Sequence, residues 1–226
     1  MGRDRHWPEF AGQNDDAPRK SGLVIRHSDF VIFVVVLNSR PPSAIPVAAM
    51  PSSDDLLRLS AAIRDVPDFP KPGIIFKDIT PLLGSAELFR LSVDAFVEAC
   101  RALNVDKVVG IDARGFVFGA AVAYELGLGF VPIRKKGKLP YQCQSAAYSL
   151  EYGEAVVEMH IDALLSGEKV VLIDDLLATG GTAAAAARLI EKSGAQLVEI
   201  QFLIELEFLG GRKNLPAERV RTFLKY

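Results

Sequence analysis

From residue 53 onward the apolar positions of this chain fall into alternating helical and strand periods. Ser53 can cap a helix in which Leu56, Leu59 and Ile63 share one face. A second helix is predicted near residues 86–103, where Phe89, Val93, Phe96, Cys100 and Leu103 recur at steps of three and four. A strand at 107–111, a helix over 116–126 and a strand at 130–133 follow, and then a polar loop over about 135–146. Residues 148–152 and 155–161 read as a hairpin turning at Gly153. A strand at 170–173, an Ala-rich helix over 182–192 and a strand at 197–204 complete the pattern. Short apolar strands alternating with helices predict an α/β fold, a mostly parallel twisted sheet flanked by helices. In such sheets ligands bind beyond the carboxyl ends of the strands.

Residues 1–52 read differently. Arg3-Asp4-Arg5-His6-Trp7-Pro8 and Gln13-Asn14-Asp15-Asp16 follow neither period, and an apolar run at 30–37 leads into a Pro/Ser/Ala-rich linker at 39–53. The chain is therefore divided into a leader, residues 1–52, and one domain, residues 53–226. The leader is expected to be disordered, or a mis-annotated start with translation beginning at Met50. A partner-binding segment or added strand built on residues 30–37 is the alternative.

Composition narrows the function classes. Apolar residues make up 50% and charged residues 24%, which excludes a wholly disordered chain. Lys and Arg number 26 against 28 Asp and Glu, a net charge of -2, so the chain is no general nucleic-acid binder. Two cysteines, Cys100 and Cys143, cannot build a disulfide scaffold, and reduced thiols suit the cytoplasm. The run at 30–37 falls well short of the roughly 18 apolar residues of a membrane helix, and the polar stretch before it fits a signal peptide badly.

The richest chemistry lies in Val170-Val171-Leu172-Ile173-Asp174-Asp175-Leu176-Leu177-Ala178-Thr179-Gly180-Gly181-Thr182. A buried strand here delivers two carboxylates to the binding edge of the sheet. The small-residue loop after it exposes backbone N–H groups at a helix N-terminus, a cradle for phosphate, with hydroxyls from Thr179 and Thr182. Carboxylates beside a phosphate site make sense if the ligand also carries a diol. Asp174 and Asp175 would then accept hydrogen bonds from ribose hydroxyls, while Ala178, Thr179, Gly180, Gly181 and Thr182 hold the 5-phosphate. The loop is not a Walker A loop, since no Lys follows its glycines.

These thirteen residues resemble the phosphoribosyl-diphosphate signature of type I phosphoribosyltransferases. Further segments resemble the adenine-specific members of that family: Pro67-Asp68-Phe69-Pro70-Lys71-Pro72-Gly73-Ile74-Ile75-Phe76-Lys77-Asp78-Ile79-Thr80-Pro81, Asp112-Ala113-Arg114-Gly115-Phe116, Arg134-Lys135-Lys136-Gly137-Lys138-Leu139-Pro140 and Tyr148-Ser149-Leu150-Glu151-Tyr152-Gly153. The resemblance runs from about residue 53 to the C-terminus. It implies the type I phosphoribosyltransferase fold with a small hood and a mobile hairpin loop. It also implies transfer of a phosphoribosyl group from 5-phosphoribosyl 1-diphosphate to adenine, giving AMP and pyrophosphate.

The resemblance further implies individual roles. Arg114, Lys135 and Lys138 would meet the pyrophosphate, Arg114 by a guanidinium fork. Phe76 would stack on adenine, the backbone of Ile75 and Lys77 would read its amino edge, and Leu206 would cover the other face. Glu151 would handle a proton at the purine imidazole edge, with Tyr152 shielding the site from water. Lys77 stands where Arg is common in the family, and Ala113 where Ser is common. The implied cofactor is Mg2+ held mainly through the substrate, with no direct protein ligand, and the implied assembly is a homodimer. A regulator that binds the same ligand without turnover would need a nucleic-acid-binding element, and no helix-turn-helix pattern is legible in residues 1–52.

Overall fold

The computed structural model describes residues 23–27, 30–34, 50–149 and 154–226. The chain divides between Pro46 and Val47 into two units. In the first, β1 (Leu23–His27) pairs antiparallel with β2 (Phe30–Val34), Leu23 opposite Val34 and His27 opposite Phe30. Apart from these strands and residues 50–52, the leader read into residues 1–52 lies outside the described residues.

The second unit opens with α1 (Ser53–Ala61), whose N-cap is Ser52 rather than Ser53. Ser52 Oγ accepts from the Asp55 N–H at 3.2 Å, and the Asp55 carboxylate accepts back from the Ser52 N–H at 3.0 Å. This reciprocal box needs the acid three residues after the cap, which Ser52 has and Ser53 lacks. Ile63 lies beyond the end of α1 and is buried there. Next come β3 (Arg64–Pro67) and β4 (Ile75–Asp78), an antiparallel pair forming its own small sheet, the hood. The short α2 (Thr80–Leu83) and the long α3 (Ala86–Arg101) follow.

The main sheet has the strand order β11-β10-β9-β5-β6-β8-β7. Its members are β5 (Lys107–Ile111), β6 (Gly129–Lys135), β7 (Cys143–Ser149), β8 (Glu154–His160), β9 (Lys169–Leu177), β10 (Gln196–Glu205) and β11 (Val220–Lys225). Neighbours from β11 through β6 run parallel, while β8 and β7 are antiparallel, so the sheet is mostly parallel as expected. The crossovers α4 (Arg114–Leu126) and α5 (Gly181–Lys192) cover opposite faces. Period two along β9 decides this: Val170 and Leu172 pack with Ala186, Leu189 and Ile190 of α5, whereas Val171 and Ile173 pack with Phe118 and Val122 of α4. Phe96 of α3 and Phe118 of α4 are fully buried, their ring centroids 5.5 Å apart, and each such ring contributes about 1.5–3 kcal/mol by burial.

Two differences from the sequence reading bear on the site. The strand read as ending at Ile173 continues to Leu177, because Asp174, Leu176 and Leu177 still pair with Phe202, Ile204 and Glu205 of β10. Both aspartates therefore sit inside a paired strand. The loop read over 135–146 gives way at Cys143 to β7, a polar edge strand bonded along its length to β8.

Candidate active site

At the carboxyl end of β9 the chain passes through Ala178, Thr179 and Gly180 into α5. Gly180 caps that helix with φ at 81°, a left-handed conformation that L side chains resist. A Cβ at Gly180 would also overlap the Gly211 carbonyl oxygen. Among the described residues no side chain caps the first turn of α5, so its N–H groups face a cavity of about 70 Å³. Asp174, Phe202 and residues 176–183 line it. That volume is roughly twice the 30 Å³ share of one liquid water, the scale of a single small anionic group. Free amides and the positive end of the helix dipole make it an anion site.

Asp174 is partly open to this cavity, while Asp175 is 3% exposed. Burial pushes both carboxyls above the ordinary aspartate range. For Asp174 the neighbouring charge of Asp175 adds to that rise, and for Asp175 the Arg114 guanidinium offsets it. The Asp175 N–H donates to Asp174 Oδ1 at 2.9 Å, which tempers the rise at Asp174. A buried acid pair of this kind is poised to take hydrogen bonds from hydroxyl groups.

Arg114 begins α4, directly after a cis peptide between Asp112 and Ala113. Gly115 behind it lets the helix end approach β9, since a Cβ there would lie 2.7 Å from Asp174 Oδ1. Arg114 Nε stands 2.9 Å from Asp175 Oδ2, an ion pair. Its alignment does not make a hydrogen bond, so this buried oxygen has its charge compensated but no donor aimed at it. The same guanidinium lies over the ring of Phe76, 5.2 Å from the centroid, a cation–π contact. Arg114 thus joins the hood to the acid pair.

Phe76 also receives the edge of Phe69 at 5.3 Å, so the hood presents an aromatic shelf. Among the described strands, β4 pairs with β3 alone, which leaves its other edge free for backbone readout beside Phe76. Ile75 is 57% exposed. The Lys77 side chain is engaged elsewhere, 2.6 Å from Asp65 and 3.8 Å from the ring centroid of Tyr226. Leu206 is buried, and its N–H donates to the Leu177 carbonyl at 2.9 Å, which places it against the end of β9.

Lys135 ends β6, two strands from β9 and so about 10 Å away at ordinary strand spacing. Lys135 and Lys138 are exposed on a turn held from behind. Glu158 accepts from the Gly137 N–H at 2.8 Å, and Arg134 donates to the Lys138 carbonyl at 3.1 Å and to Asp112 at 3.2 Å. Lysines at this remove suit the far end of a long anion better than the helix cradle. Glu151 and Tyr152 lie outside the described residues.

The structure therefore brings together Phe76, Arg114, Asp174, Asp175, residues 178–182 and Leu206, with Lys135 and Lys138 further along the same edge. Sequence reasoning missed Glu158, which accepts from the Gly137 N–H, Asn214, whose Nδ2 donates to the Thr179 carbonyl at 2.8 Å, and Arg212, which donates to the Glu205 carboxylate. The adjacent Gly210 and Gly211 are a turn signal in the sequence, with no sign of what that turn touches.

Residues 88–220 match the family model described as a phosphoribosyl transferase domain. An adenine phosphoribosyltransferase of Acidothermus cellulolyticus is 56% identical over 176 residues, covering 78% of this chain and 99% of the relative. Among solved structures, the adenine phosphoribosyltransferase of Rhodothermus marinus is 53% identical with a TM-score of 0.74, over 77% of this chain and 100% of that one. The Saccharomyces cerevisiae enzyme, solved with an imino-altritol bisphosphate and adenine, is 42% identical with a TM-score of 0.73, over 76% of this chain and 100% of that one.

Proposed function

The chain belongs to the adenine phosphoribosyltransferase family and is a purine-salvage transferase; we propose that it works with the residues assembled above, at the carboxyl edge of the sheet. It transfers the 5-phosphoribosyl group from 5-phosphoribosyl 1-diphosphate to adenine, releasing AMP and pyrophosphate. The 5-phosphate sits on the N–H groups and hydroxyls of residues 178–182, and Asp174 and Asp175 accept from the ribose hydroxyls. Adenine lies on Phe76, with the backbone of Ile75 and Lys77 at its amino edge and Leu206 opposite. Arg114, Lys135 and Lys138 hold the pyrophosphate.

In the reaction the bond from the anomeric carbon to pyrophosphate breaks and a bond to the adenine nitrogen forms. Adenine gives up one proton, and Glu151 is the group assigned to its purine imidazole edge, with Tyr152 excluding water. Positive charge grows on the sugar and negative charge on the leaving group, so fixed cations around the pyrophosphate lower the barrier. No side chain is assigned to Mg2+ itself, whose hard-oxygen ligands would come mainly from the substrate phosphates. Held there, the ion would supply neutralisation of the charge that grows on the leaving group. This reading includes a homodimer in the cytoplasm. Val117 and Tyr124 of α4, 38% and 86% exposed, offer apolar surface that a second copy would cover.

One observation carries the site: Arg114 touches both Asp175 and the face of Phe76, so the sugar acids and the base shelf belong to one cleft. The test is a base panel of adenine, hypoxanthine, xanthine and orotate with 5-phosphoribosyl 1-diphosphate and Mg2+. Turnover is expected with adenine, and Phe76→Ala is expected to raise the KM for adenine about tenfold, the worth of one aromatic stacking contact. Turnover of hypoxanthine without adenine would refute the reading.

A further inference from the structure

The phosphate cradle does not stand alone. Behind it lies a one-turn 3-10 helix, Gly211–Asn214, which follows β10 in the chain. Gly211 is buried so close to the cradle that a Cβ there would overlap the Ala178 carbonyl oxygen. Asn214 Nδ2 donates to the Thr179 carbonyl at 2.8 Å. The peptides on either side of Thr179 are not among the cis bonds of the structure, and a trans peptide points its N–H opposite its C=O. Drawing the Ala178 and Thr179 carbonyls toward the turn therefore turns the Thr179 and Gly180 N–H groups the other way, into the cavity.

The turn is itself braced. Arg212 Nε and Nη2 donate to the buried carboxylate of Glu205 at 3.1 and 2.7 Å, and Nη1 donates to the Val220 carbonyl at 2.8 Å. Thr222 Oγ1 donates to the same carboxylate at 2.8 Å and lies 3.2 Å from Arg212 Nη2. One guanidinium thus fastens the turn to the ends of two sheet strands, a forked geometry an ammonium cannot copy.

We infer that the turn Gly211–Asn214 is a positioning element for the substrate's 5-phosphate, with Asn214 aiming the Gly180 N–H and Arg212 holding the turn in place. The inference rests on the reading of residues 178–182 as the phosphate site. Asn214 is exposed and touches the substrate nowhere in this account, so it acts only through the loop.

The test uses the full chain with Asn214→Ala, with the similarly shaped Asn214→Leu, and with Arg212→Met beside Arg212→Lys. Either Asn214 variant should raise the KM for 5-phosphoribosyl 1-diphosphate about five- to tenfold, the worth of roughly one hydrogen bond. AMP affinity should weaken by the same factor, while the KM for adenine and the Tm stay near the parent values. Arg212→Met should give the same substrate bias with a lower Tm, and Arg212→Lys should restore part of both. Thr182→Val separates the two levels of the argument. If it raises the KM for the phosphoribosyl donor and the Asn214 variants do not, the positioning role falls alone. If all are silent, the phosphate site has been misplaced and both fall. Equal shifts in both substrates' KM would mark Asn214 as merely structural and overturn the inference.

Discussion

Gly180 allows a test in which the cost of a backbone conformation can be separated from the cost of a collision. Its φ is 81°, and that of Gly167, in the turn before β9, is 85°. Alanine in this region costs about 1–2 kcal/mol at either place, and the gain from a stiffer unfolded chain is common to both. The difference lies in the surroundings. A Cβ at Gly167 meets nothing within 4 Å, whereas one at Gly180 meets the Gly211 carbonyl oxygen, carbon and Cα, the last two at 3.2 and 3.4 Å. Backbone on both sides must then move, an overpacking cost of about 1–3 kcal/mol more.

For a domain of this size each kcal/mol is roughly 2–4 °C in Tm. Gly167→Ala should thus lose about 2–8 °C, and Gly180→Ala roughly 2–12 °C beyond that. Because the displaced atoms carry the proposed phosphate donors, Gly180→Ala should also lower kcat/KM for the phosphoribosyl donor by about 10²-fold. Gly167→Ala should leave it unchanged. Calorimetry and initial rates on both variants decide the matter. Equal losses of Tm, or a Gly180 variant with full kcat/KM, would refute the reasoning.

Two further outcomes follow from ionisation. Asp174 is raised above its ordinary value by burial and by the charge of Asp175, so the folded state keeps a proton that the unfolded chain has released. Its contribution to stability is then complete at low pH and is lost as pH rises through the raised value. Asp174→Asn removes that slope, so in ligand-free protein the variant's Tm should gain on the parent's between pH 5 and 8.5 while phosphoribosyl-donor binding weakens. A variant that loses ground as pH rises would contradict this. Burial pushes the Cys100 thiol up to about 12, and burial with the Glu158 charge raises the partly exposed Cys143. A disulfide reagent at pH 8 should titrate one thiol in the folded protein, Cys143, and the second only after denaturant; two fast thiols would contradict the burial of Cys100.

The parts of the fold legible in the sequence are those whose burial is one-sided and repeated. The apolar steps of α3 and the aliphatic runs of β5 and β9 name their own elements, because each buries enough surface to override local preferences. The hood was not legible as strands. β3 and β4 are four residues each, and the Pro and Gly between them read as punctuation. β7 was read as loop through residue 146 because Gln144 and Ser145 are polar, yet an edge strand needs only its ladder with β8. β9 overran its predicted end because pairing with β10 continued where the hydrophobic run stopped.

The site divides along similar lines. Asp174, Asp175 and the Thr-Gly-Gly-Thr loop are contiguous, and their chemistry is implied by their order alone. Arg114 and Phe76 needed the resemblance to be recognised, and the fold to be joined to the acids. Asn214 gave no signal, because it works on a backbone carbonyl 35 residues earlier in the chain. A side chain whose partner is backbone leaves no complementary residue in the sequence to find.

Two carboxylates beside an anion site would repel a polyanionic donor unless their charge is masked. The structure masks it with burial and one guanidinium. Burial shifts Asp174 toward its neutral, protonated form, and Arg114 compensates Asp175 at 2.9 Å. The pair therefore repels an incoming polyanion less than two solvated aspartates would. On the proposed reading, the sugar's hydroxyls would bring the donors that Asp175 Oδ2 lacks and leave Arg114 for the pyrophosphate. One arginine, resting on an acid and an aromatic face, would thereby let the proposed ribose and phosphate sites share one sheet edge.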